Sequence, residues 1–312
     1  MKRRHFLAAV VGAGLGAAAA GHAEEQKMTG TMARRPYGKT GEMLSLVGLG
    51  GIVVSQVEQS EANDTVAWAV DQGVNYVDVA PSYGNAQERL GPALKPYRDR
   101  CFLACKTAKR DAAGAQAELE ESLRLLQTDH FDLYQLHGLT KVEEVEKALG
   151  PGGAMEVILK AREEGKIRHI GFSAHSVEAA FKALESFPFE SALFPLNAVC
   201  IENGGFGKQI LDKVQEKGAV ALALKALAWT PWPTKERKYP KCWYQPQDDP
   251  AVAELLLRYT LDLPIVAAVP PGDGRLFRLA VGIAQRYRPL EAAERAELME
   301  RIKGVKPIFA AT

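Results

Sequence analysis

Three short apolar runs indicate the fold of this chain, and each ends at a titratable residue: Val74-Asn-Tyr-Val-Asp78, Phe102-Leu-Ala-Cys-Lys106 and Phe131-Asp-Leu-Tyr-Gln-Leu-His137. The runs are continuous rather than alternating, which is typical of strands buried on both faces of a parallel sheet. A fourth titratable side chain, Tyr83, follows closely after the first run. Because the carboxyl ends of neighbouring barrel strands meet at one edge, these four side chains predict a chemical site there.

The same pattern repeats along the chain after residue 33. Apolar runs of strand length occur at 46–50, 74–79, 101–106, 131–137, 167–173, 192–197, 219–227 and 264–269. Amphipathic segments typical of helices occur at 61–72, 87–95, 114–127, 153–164, 177–186, 207–217, 249–260 and 291–302. This alternation predicts a (β/α)8 barrel, the TIM-barrel fold, over residues 33–312. A doubly wound sheet is the alternative, although no Gly-x-Gly-x-x-Gly motif follows a first strand.

Two further segments lie outside this alternation. Residues 34–45, centred on Gly38-Lys39-Thr40-Gly41, predict a short hairpin ahead of the first strand. Residues 229–250 form a long loop after the seventh strand, and it carries Trp229, Trp232 and Trp243. Because loops of this length in a compact domain are usually functional, we predict a lid that shapes the pocket together with the loop at 138–153. The alternative is that this loop simply packs on the surface of the barrel.

Composition places the chain among ordinary globular proteins, with 312 residues, 47% of them hydrophobic and 25% charged. The formal net charge of +1 gives no support to nucleic-acid binding, which favours a basic excess. No apolar run reaches the roughly 20 residues that a membrane-spanning helix needs. The four cysteines, at positions 101, 105, 200 and 242, show no Cys-x-x-Cys spacing, so we expect buried thiols and no metal site.

The first 23 residues predict a signal peptide rather than part of the fold. A basic head, Lys2-Arg3-Arg4-His5-Phe6-Leu7, precedes an apolar core at 8–20 and the small-residue stretch Gly21-His22-Ala23. The order Arg-Arg-x-Phe-Leu resembles a twin-arginine signal, which carries proteins already folded through the twin-arginine export machinery. Other interpretations are a general secretory signal and an N-terminal anchor. We therefore expect a periplasmic or extracellular protein without a stable membrane span after signal removal, with a cytoplasmic protein as the alternative.

The four strand-end side chains form a complete set for reducing a carbonyl group. Such a reaction needs a hydride donor and an acid for the new alkoxide, and tyrosine, with a reference pKa near ~10, is a weak acid at neutral pH. A nearby ammonium group lowers that pKa, and a carboxylate fixes the ammonium in place. The set therefore predicts Tyr83 as the acid and Lys106 as the group that lowers its pKa. Asp78 is the predicted partner of Lys106, and His137 is the group that orients the carbonyl oxygen.

These motifs resemble the signature of the aldo-keto reductase superfamily. The matching stretches are Gly73-Val-Asn-Tyr-Val-Asp78-Val-Ala-Pro-Ser-Tyr83-Gly-Asn, Ala-Cys-Lys106-Thr, Leu-Tyr-Gln-Leu-His137, Gly165-Lys-Ile-Arg-His-Ile-Gly-Phe-Ser173 and Arg35-Pro-Tyr-Gly-Lys-Thr-Gly. They run in the family's order over roughly residues 33–285. The resemblance implies a (β/α)8 fold and NAD(P)H-dependent reduction of a small aldehyde or ketone, or the reverse oxidation.

The resemblance also implies a nicotinamide cofactor, with NADP(H) favoured over NAD. The candidate cofactor-binding residues are Gly51, Ser173, Asn197, Lys225, Leu227, Pro271, Gly272, Arg275 and Arg278. The chain departs from the family at three places: Ala174-His175 follows Ser173 where Asn is usual, Lys225 stands where an aromatic ring often stacks on the nicotinamide, and Val281-Gly282 replaces Glu-Asn. Basic residues of the long loop, Lys241 among them, either approach the phosphates or are simply solvated.

Two functions from different classes follow. The first is an exported oxidoreductase that holds its cofactor tightly, because free NADP(H) is not expected outside the cytoplasm. The second is a barrel that binds a ligand, a partner or a cofactor without turnover, a hypothesis motivated by the departures in the cofactor half. The aromatic rings of the predicted lid fit a sugar-like or an apolar carbonyl substrate equally well.

Overall fold

The computed structural model describes residues 32–311, and the predicted signal peptide at 1–23 lies outside this range. In chain order the strands are β1 (Arg34–Pro36), β2 (Met43–Ser45), β3 (Leu49–Gly50), β4 (Tyr76–Asp78), β5 (Phe102–Thr107), β6 (Phe131–Leu139), β7 (Ile167–Ala174), β8 (Ser191–Pro195), β9 (Val220–Leu224), β10 (Ala228–Pro231), β11 (Tyr244–Pro246) and β12 (Ala267–Val269). The helices are α1 (Gln59–Asp71), α2 (Ala86–Leu94), α3 (Ala112–Leu125), α4 (Val142–Leu149), α5 (Ala154–Glu163), α6 (Val177–Ser186), α7 (Lys208–Glu216), α8 (Pro250–Asp262), α9 (Gly274–Gln285) and α10 (Ala292–Ile302).

Eight of these strands form one parallel sheet in the order β12-β9-β8-β7-β6-β5-β4-β3. The sheet closes on itself beside β3, where Val47 bridges to Ala268 in parallel register. Two backbone hydrogen bonds complete the seam, since Gly48 N donates to Ala268 O at 3.0 Å and Ala268 N donates to Leu46 O at 2.9 Å. The prediction of a (β/α)8 barrel is confirmed, and the doubly wound alternative is wrong.

The register of the strands brings the polar strand ends to one edge of the barrel. Asp78 at the end of β4 pairs with Ala104 of β5, two residues before Lys106, and Lys106 pairs with Gln135 of β6, two residues before His137. Residues two apart on one strand share a face, so the three titratable side chains all point into the barrel near its carboxyl end. This alignment sets the position of the candidate site.

The predicted hairpin at residues 34–45 is present and closes the opposite, amino end of the barrel. Strands β1 and β2 pair antiparallel, with Pro36 opposite Met43. The fully buried ring of Tyr37 packs 5.0 Å, between centroids, from Phe102 at the start of β5. The hairpin therefore seals the barrel floor and contributes nothing to the mouth.

Two helices were missed at the sequence level. The segment 138–153, expected to be a loop, contains α4, which has only eight residues. The helix that follows β12 is α9, not the predicted helix at 291–302, which forms the additional α10. Gly282 inside α9 is less favourable in a helix than alanine by about 1 kcal/mol, which lowers the helix propensity of this segment. Packing decides instead, because α9 buries a continuous apolar face that includes Phe277 and Ile283.

The seventh barrel strand is shorter than the predicted 219–227, because β9 ends at Leu224. Lys225 has a φ of 61°, a left-handed conformation that ends the strand. The long loop then forms an antiparallel pair of its own, β10 with β11. All four cysteines are buried thiols, as predicted. Within residues 32–311, no helix has the length and apolar character needed to cross a membrane.

Candidate active site

A buried ion pair forms the base of the candidate site. Lys106 Nζ lies 2.5 Å from Asp78 Oδ1, and each side chain is 1% exposed. Lys106 Nζ also donates to the carbonyl oxygen of Val79 at 3.1 Å, while Asp78 Oδ2 accepts from the Tyr76 hydroxyl at 3.1 Å. Asp78 Oδ2 also accepts a hydrogen bond from Gln135 Nε2 at 3.4 Å. Because both charges are held by several bonds, the ammonium group has a fixed position.

Tyr83 lies directly above this pair. The ammonium of Lys106 is 5.3 Å from the centroid of the Tyr83 ring, and the ring packs edge-on against His137 at 5.7 Å. Burial raises the pKa of Tyr83, and Lys106 lowers it only in part, so the net pKa lies above its ordinary value. Lys106 lowers the pKa of Tyr83, as expected, but burial raises that pKa by more. Tyr83 is therefore a protonated phenol at neutral pH, which is the form that can give up a proton.

His137 is uncharged at neutral pH. Burial and the positive charges of Lys106, Arg110 and Lys225 lower its pKa to about 3. A neutral imidazole has one N–H donor, which can hydrogen-bond a carbonyl oxygen without adding a charge. The residue is anchored through its backbone, because Arg110 Nη2 donates to the His137 carbonyl oxygen at 2.7 Å.

These side chains face a cavity of about 330 Å³ at the carboxyl end of the barrel. Its lining comprises Gly50, Ile52, Asp78, Ser82, Tyr83, His137, His175, Leu224, Lys225, Lys241, Cys242, Trp243, Tyr244, Val269, Pro270 and Gly272. The barrel strands supply one wall, and the long loop at 229–250 supplies the other through its residues 241–244. Six predicted site residues meet here: Asp78, Tyr83, His137, Lys225, Gly272 and Trp243. Lys106 lies beneath them, bonded to Asp78.

Several predicted cofactor residues support the cavity without lining it. Ser173 is fully buried and accepts a hydrogen bond from Gly138 N at 2.7 Å. Asn197 donates from Nδ2 to the Lys225 carbonyl oxygen at 3.0 Å and accepts from Cys200 N at 2.9 Å. Leu227 lies in the hydrophobic core. These residues hold the backbone around the mouth, so the structure brings them near the site but leaves their contact with a cofactor a prediction.

The three tryptophans of the long loop occupy different positions. Trp243 lines the cavity and is 50% exposed. Trp232 lies outside the cavity and donates from Nε1 to the Cys242 carbonyl oxygen at 2.8 Å. Trp229 packs against the main core. Trp243 is therefore the loop tryptophan placed to contact a ligand, while the other two stabilise the loop.

A second cavity, of about 450 Å³, lies beside the first and shares Lys241 with it. Arg275 and Arg278 line it, together with the acidic residues Glu61, Asp64 and Asp273. Arg275 forms an ion pair with Asp273 at 3.2 Å. The guanidinium of Arg278 lies 4.1 Å from the Trp68 ring centroid and forms no ion pair within residues 32–311. Of the two arginines, Arg278 is the one free to bind an anion.

Two of the remaining predicted positions, Gly51 and Gly272, lie where the backbone passes close to a neighbouring side chain. A Cβ at Gly272 would lie 2.3 Å from Cγ2 of Ile52, and a Cβ at Gly51 would lie 2.8 Å from Cγ2 of Val79. Only glycine lets the chain pass this closely. Pro271 lies between two lining residues, Pro270 and Gly272, but does not itself line the cavity.

Sequence reasoning missed a cluster around Lys225. His175 Nε2 lies 3.1 Å from Lys225 Nζ, and the His175 ring stacks on Phe309 at 5.3 Å. Phe309 comes from the C-terminal segment, which is tied to the barrel where Ala311 N donates to Gly204 O at 2.8 Å. The only signal in the sequence was the departure from the family's pattern at Ala174-His175 and at Lys225.

The chain belongs to the aldo/keto reductase family, whose family model matches residues 46–238. Aldo-keto reductase YhdN of Bacillus subtilis is 35% identical over 158 residues, which is 45% of this chain and 46% of that protein. The chain thus spans about half the length of the curated relatives that it matches.

Solved structures extend the likeness in fold to most of the chain. The holo form of an aldo-keto reductase from Bacillus halodurans has a TM-score of 0.69 at 23% identity and covers 89% of this chain and 98% of its own. An aldo/keto reductase from Klebsiella pneumoniae in complex with NADP and acetate has a TM-score of 0.66 at 21% identity and covers 87% and 97%. At these identities the likeness shows the barrel fold.

Proposed function

We propose that this protein is an NADP(H)-dependent oxidoreductase that reduces an aldehyde or ketone to an alcohol, or runs the reverse reaction. The observation that carries this proposal is the placement of Tyr83 and His137 in one cavity, directly above the buried pair of Lys106 and Asp78. Membership of the aldo/keto reductase family supports the same reaction class.

Each side chain has one role in the proposed reaction. A bound NADPH supplies a hydride to the carbonyl carbon. His137, neutral at this pH, donates a hydrogen bond to the carbonyl oxygen and orients it. That oxygen gains the electron pair of the broken C=O π bond and takes the proton of Tyr83. Lys106 stabilises the resulting phenolate, and Asp78 keeps Lys106 in place.

The two adjoining cavities fit a dinucleotide. The first contains the proposed reacting groups, and the second contains Arg278, the arginine without an ion pair within residues 32–311, for a phosphate. Lys241 stands between them, with its ammonium bonded to the Val53 carbonyl oxygen at 3.1 Å and otherwise available to an anion. The K. pneumoniae reductase of the same fold, described in complex with NADP, supports this choice of cofactor.

The test is consumption of NADPH with a panel of aldehydes and ketones. We expect loss of NADPH absorbance that depends on both the carbonyl compound and the protein. Binding of NADPH without consumption, on every member of the panel and in both directions, would favour the barrel without turnover.

Replacing Arg278 by methionine is expected to weaken NADPH binding by about 10- to 100-fold, because one charge-assisted hydrogen bond to the phosphate is lost. NADH binding should change much less, since NADH lacks the 2′-phosphate. Fluorescence titration of both nucleotides measures the two dissociation constants. Arg301→Met, an exposed charge on α10 at the far end of the chain, serves as the control. An equal loss for both nucleotides would argue against the phosphate role.

We also propose that the protein is exported through the twin-arginine route with its cofactor already bound. The basic and apolar pattern at residues 1–23 and the partly enclosed cavity motivate this proposal. Protein purified from the export compartment should release a nicotinamide nucleotide on acid denaturation. Recovery of the protein in the cytoplasmic fraction alone would exclude export, and nucleotide-free protein that gives no fluorescence change with NADPH would exclude the tight complex.

A further inference from the structure

We propose that Lys225 and His175 form an anion subsite beside Tyr83 and His137, and that this subsite receives the carboxylate of the carbonyl substrate. The substrate class is then an oxo acid, an aldehyde or ketone that also carries a carboxylate. This inference rests on the proposed reductase function and adds to it the chemical class of the substrate.

The first observation is the environment of the Lys225 ammonium. Nζ lies 3.1 Å from His175 Nε2 and forms no ion pair with any carboxylate of residues 32–311. Its other neighbours are aromatic faces, with Trp243 at 5.9 Å and Phe309 at 5.6 Å to the ring centroids. Even a partly buried lysine is costly without a carboxylate nearby, so such a group is expected to have a binding partner.

The charge balance of the cavity points the same way. Its only lining carboxylate in the described part of the chain is Asp78, and that charge is neutralised by Lys106 at 2.5 Å. Lys225 remains as a positive charge without a paired carboxylate, whereas Lys241 also faces Glu61 and Asp273 of the second cavity. A cavity with an excess of positive charge and aromatic walls attracts an anionic ligand that also has an apolar part.

The direction in which Lys225 points separates the subsite from the proposed phosphate site. Lys225 follows β9, whose neighbours in the sheet are β12 on one side and β8 on the other. His175 follows β7, beyond β8, so the ammonium is turned away from β12. The second cavity lies on the β12 side, beyond Gly272. The subsite therefore faces the His137 side of the mouth rather than the proposed phosphate site.

The backbone of Lys225 is held in an unusual conformation. Its φ of 61° is uncommon for a residue other than glycine and costs on the order of 1–3 kcal/mol. Two hydrogen bonds hold the Lys225 carbonyl oxygen, one from Asn197 Nδ2 at 3.0 Å and one from Ala228 N at 2.9 Å. A strained residue fixed by several bonds is a mark of a functional position.

The protonation states fit anion binding. Burial lowers the pKa of Lys225 to about 8, so the side chain remains mostly an ammonium at neutral pH. Burial and the charge of Lys225 hold the pKa of His175 well below its ordinary value, so its ring is neutral and accepts from Lys225. A carboxylate bound here would stabilise the ammonium.

The first experiment compares para-carboxybenzaldehyde with its methyl ester, which differ in charge at one end. We expect Lys225→Met to lower the acid-to-ester ratio of kcat/KM by about 10- to 100-fold, because a charge-assisted contact is lost. Lys225→Arg should restore part of the ratio. Lys238→Met, which removes a loop charge paired with Asp248, is the matched control and should leave the ratio as in the wild type. An unchanged ratio in Lys225→Met would overturn the proposal.

The second experiment measures binding without turnover. Benzoate should change the fluorescence of Trp243, and Trp243→Phe identifies that signal among the four tryptophans. Lys225→Met should weaken benzoate binding at least about tenfold while leaving the dissociation constant of NADPH close to that of the wild type. If instead NADPH binding weakens and benzoate binding does not, the subsite belongs to the cofactor and the proposal fails. If the wild type reduces no carbonyl compound, the proposed function fails, and benzoate binding alone decides the subsite.

Discussion

Replacing Tyr83 by phenylalanine is expected to lower kcat for NADPH-dependent carbonyl reduction by about a hundred- to ten-thousand-fold, the usual contribution of a positioned general acid. The reason is local, because the Tyr83 phenol is protonated, faces the cavity and lies 5.3 Å, ring to ammonium, above Lys106. Phenylalanine keeps the edge-on contact with His137 and loses only the proton donor. We therefore expect little change in KM or in the dissociation constant of NADPH.

Single-turnover measurements with excess enzyme separate the chemical step from product release. Tyr97→Phe is the matched control, because Tyr97 lies in the short 3-10 helix before β5, at the opposite end of that strand from Lys106. Its rate should equal that of the wild type. Equal rates for Tyr83→Phe and the wild type would remove Tyr83 from the mechanism.

Replacing Lys106 by methionine is expected to lower the free energy of unfolding by about 3–5 kcal/mol and to abolish most turnover, because it leaves the Asp78 carboxylate buried without its partner. Both side chains are 1% exposed, so water cannot replace the lost ammonium. Turnover falls as well, since the phenolate of Tyr83 loses the positive charge that stabilises it.

Urea unfolding followed by tryptophan fluorescence measures the first effect, and NADPH consumption measures the second. Lys208→Met is the control for removing a lysine, because the exposed pair of Lys208 and Asp212 should contribute less than about 1 kcal/mol. The double variant Asp78→Asn with Lys106→Met should recover part of the stability without recovering turnover. A Lys106→Met protein as stable as the wild type would show that the pair is not buried as described.

The barrel and the shared edge of three titratable side chains could be predicted because both are encoded locally. Asp78, Lys106 and His137 each stand at the end of a continuous apolar run, and parallel strands necessarily bring such ends to one edge. Helix α9 was missed although its sequence is amphipathic, because Gly282 lowers its intrinsic helix propensity and its stability comes from burial of its apolar face.

The chain's own sequence thus determined the fold and the edge of the barrel at which Asp78, Lys106 and His137 end up, because periodicity and strand ends are properties of neighbouring residues. Tertiary structure alone decided the rest. His175 and Lys225 stand 50 positions apart and meet because two strand ends and a left-handed backbone at Lys225 turn them toward each other. The net direction of the Tyr83 pKa was likewise decided by burial, which depends on every element that surrounds the cavity.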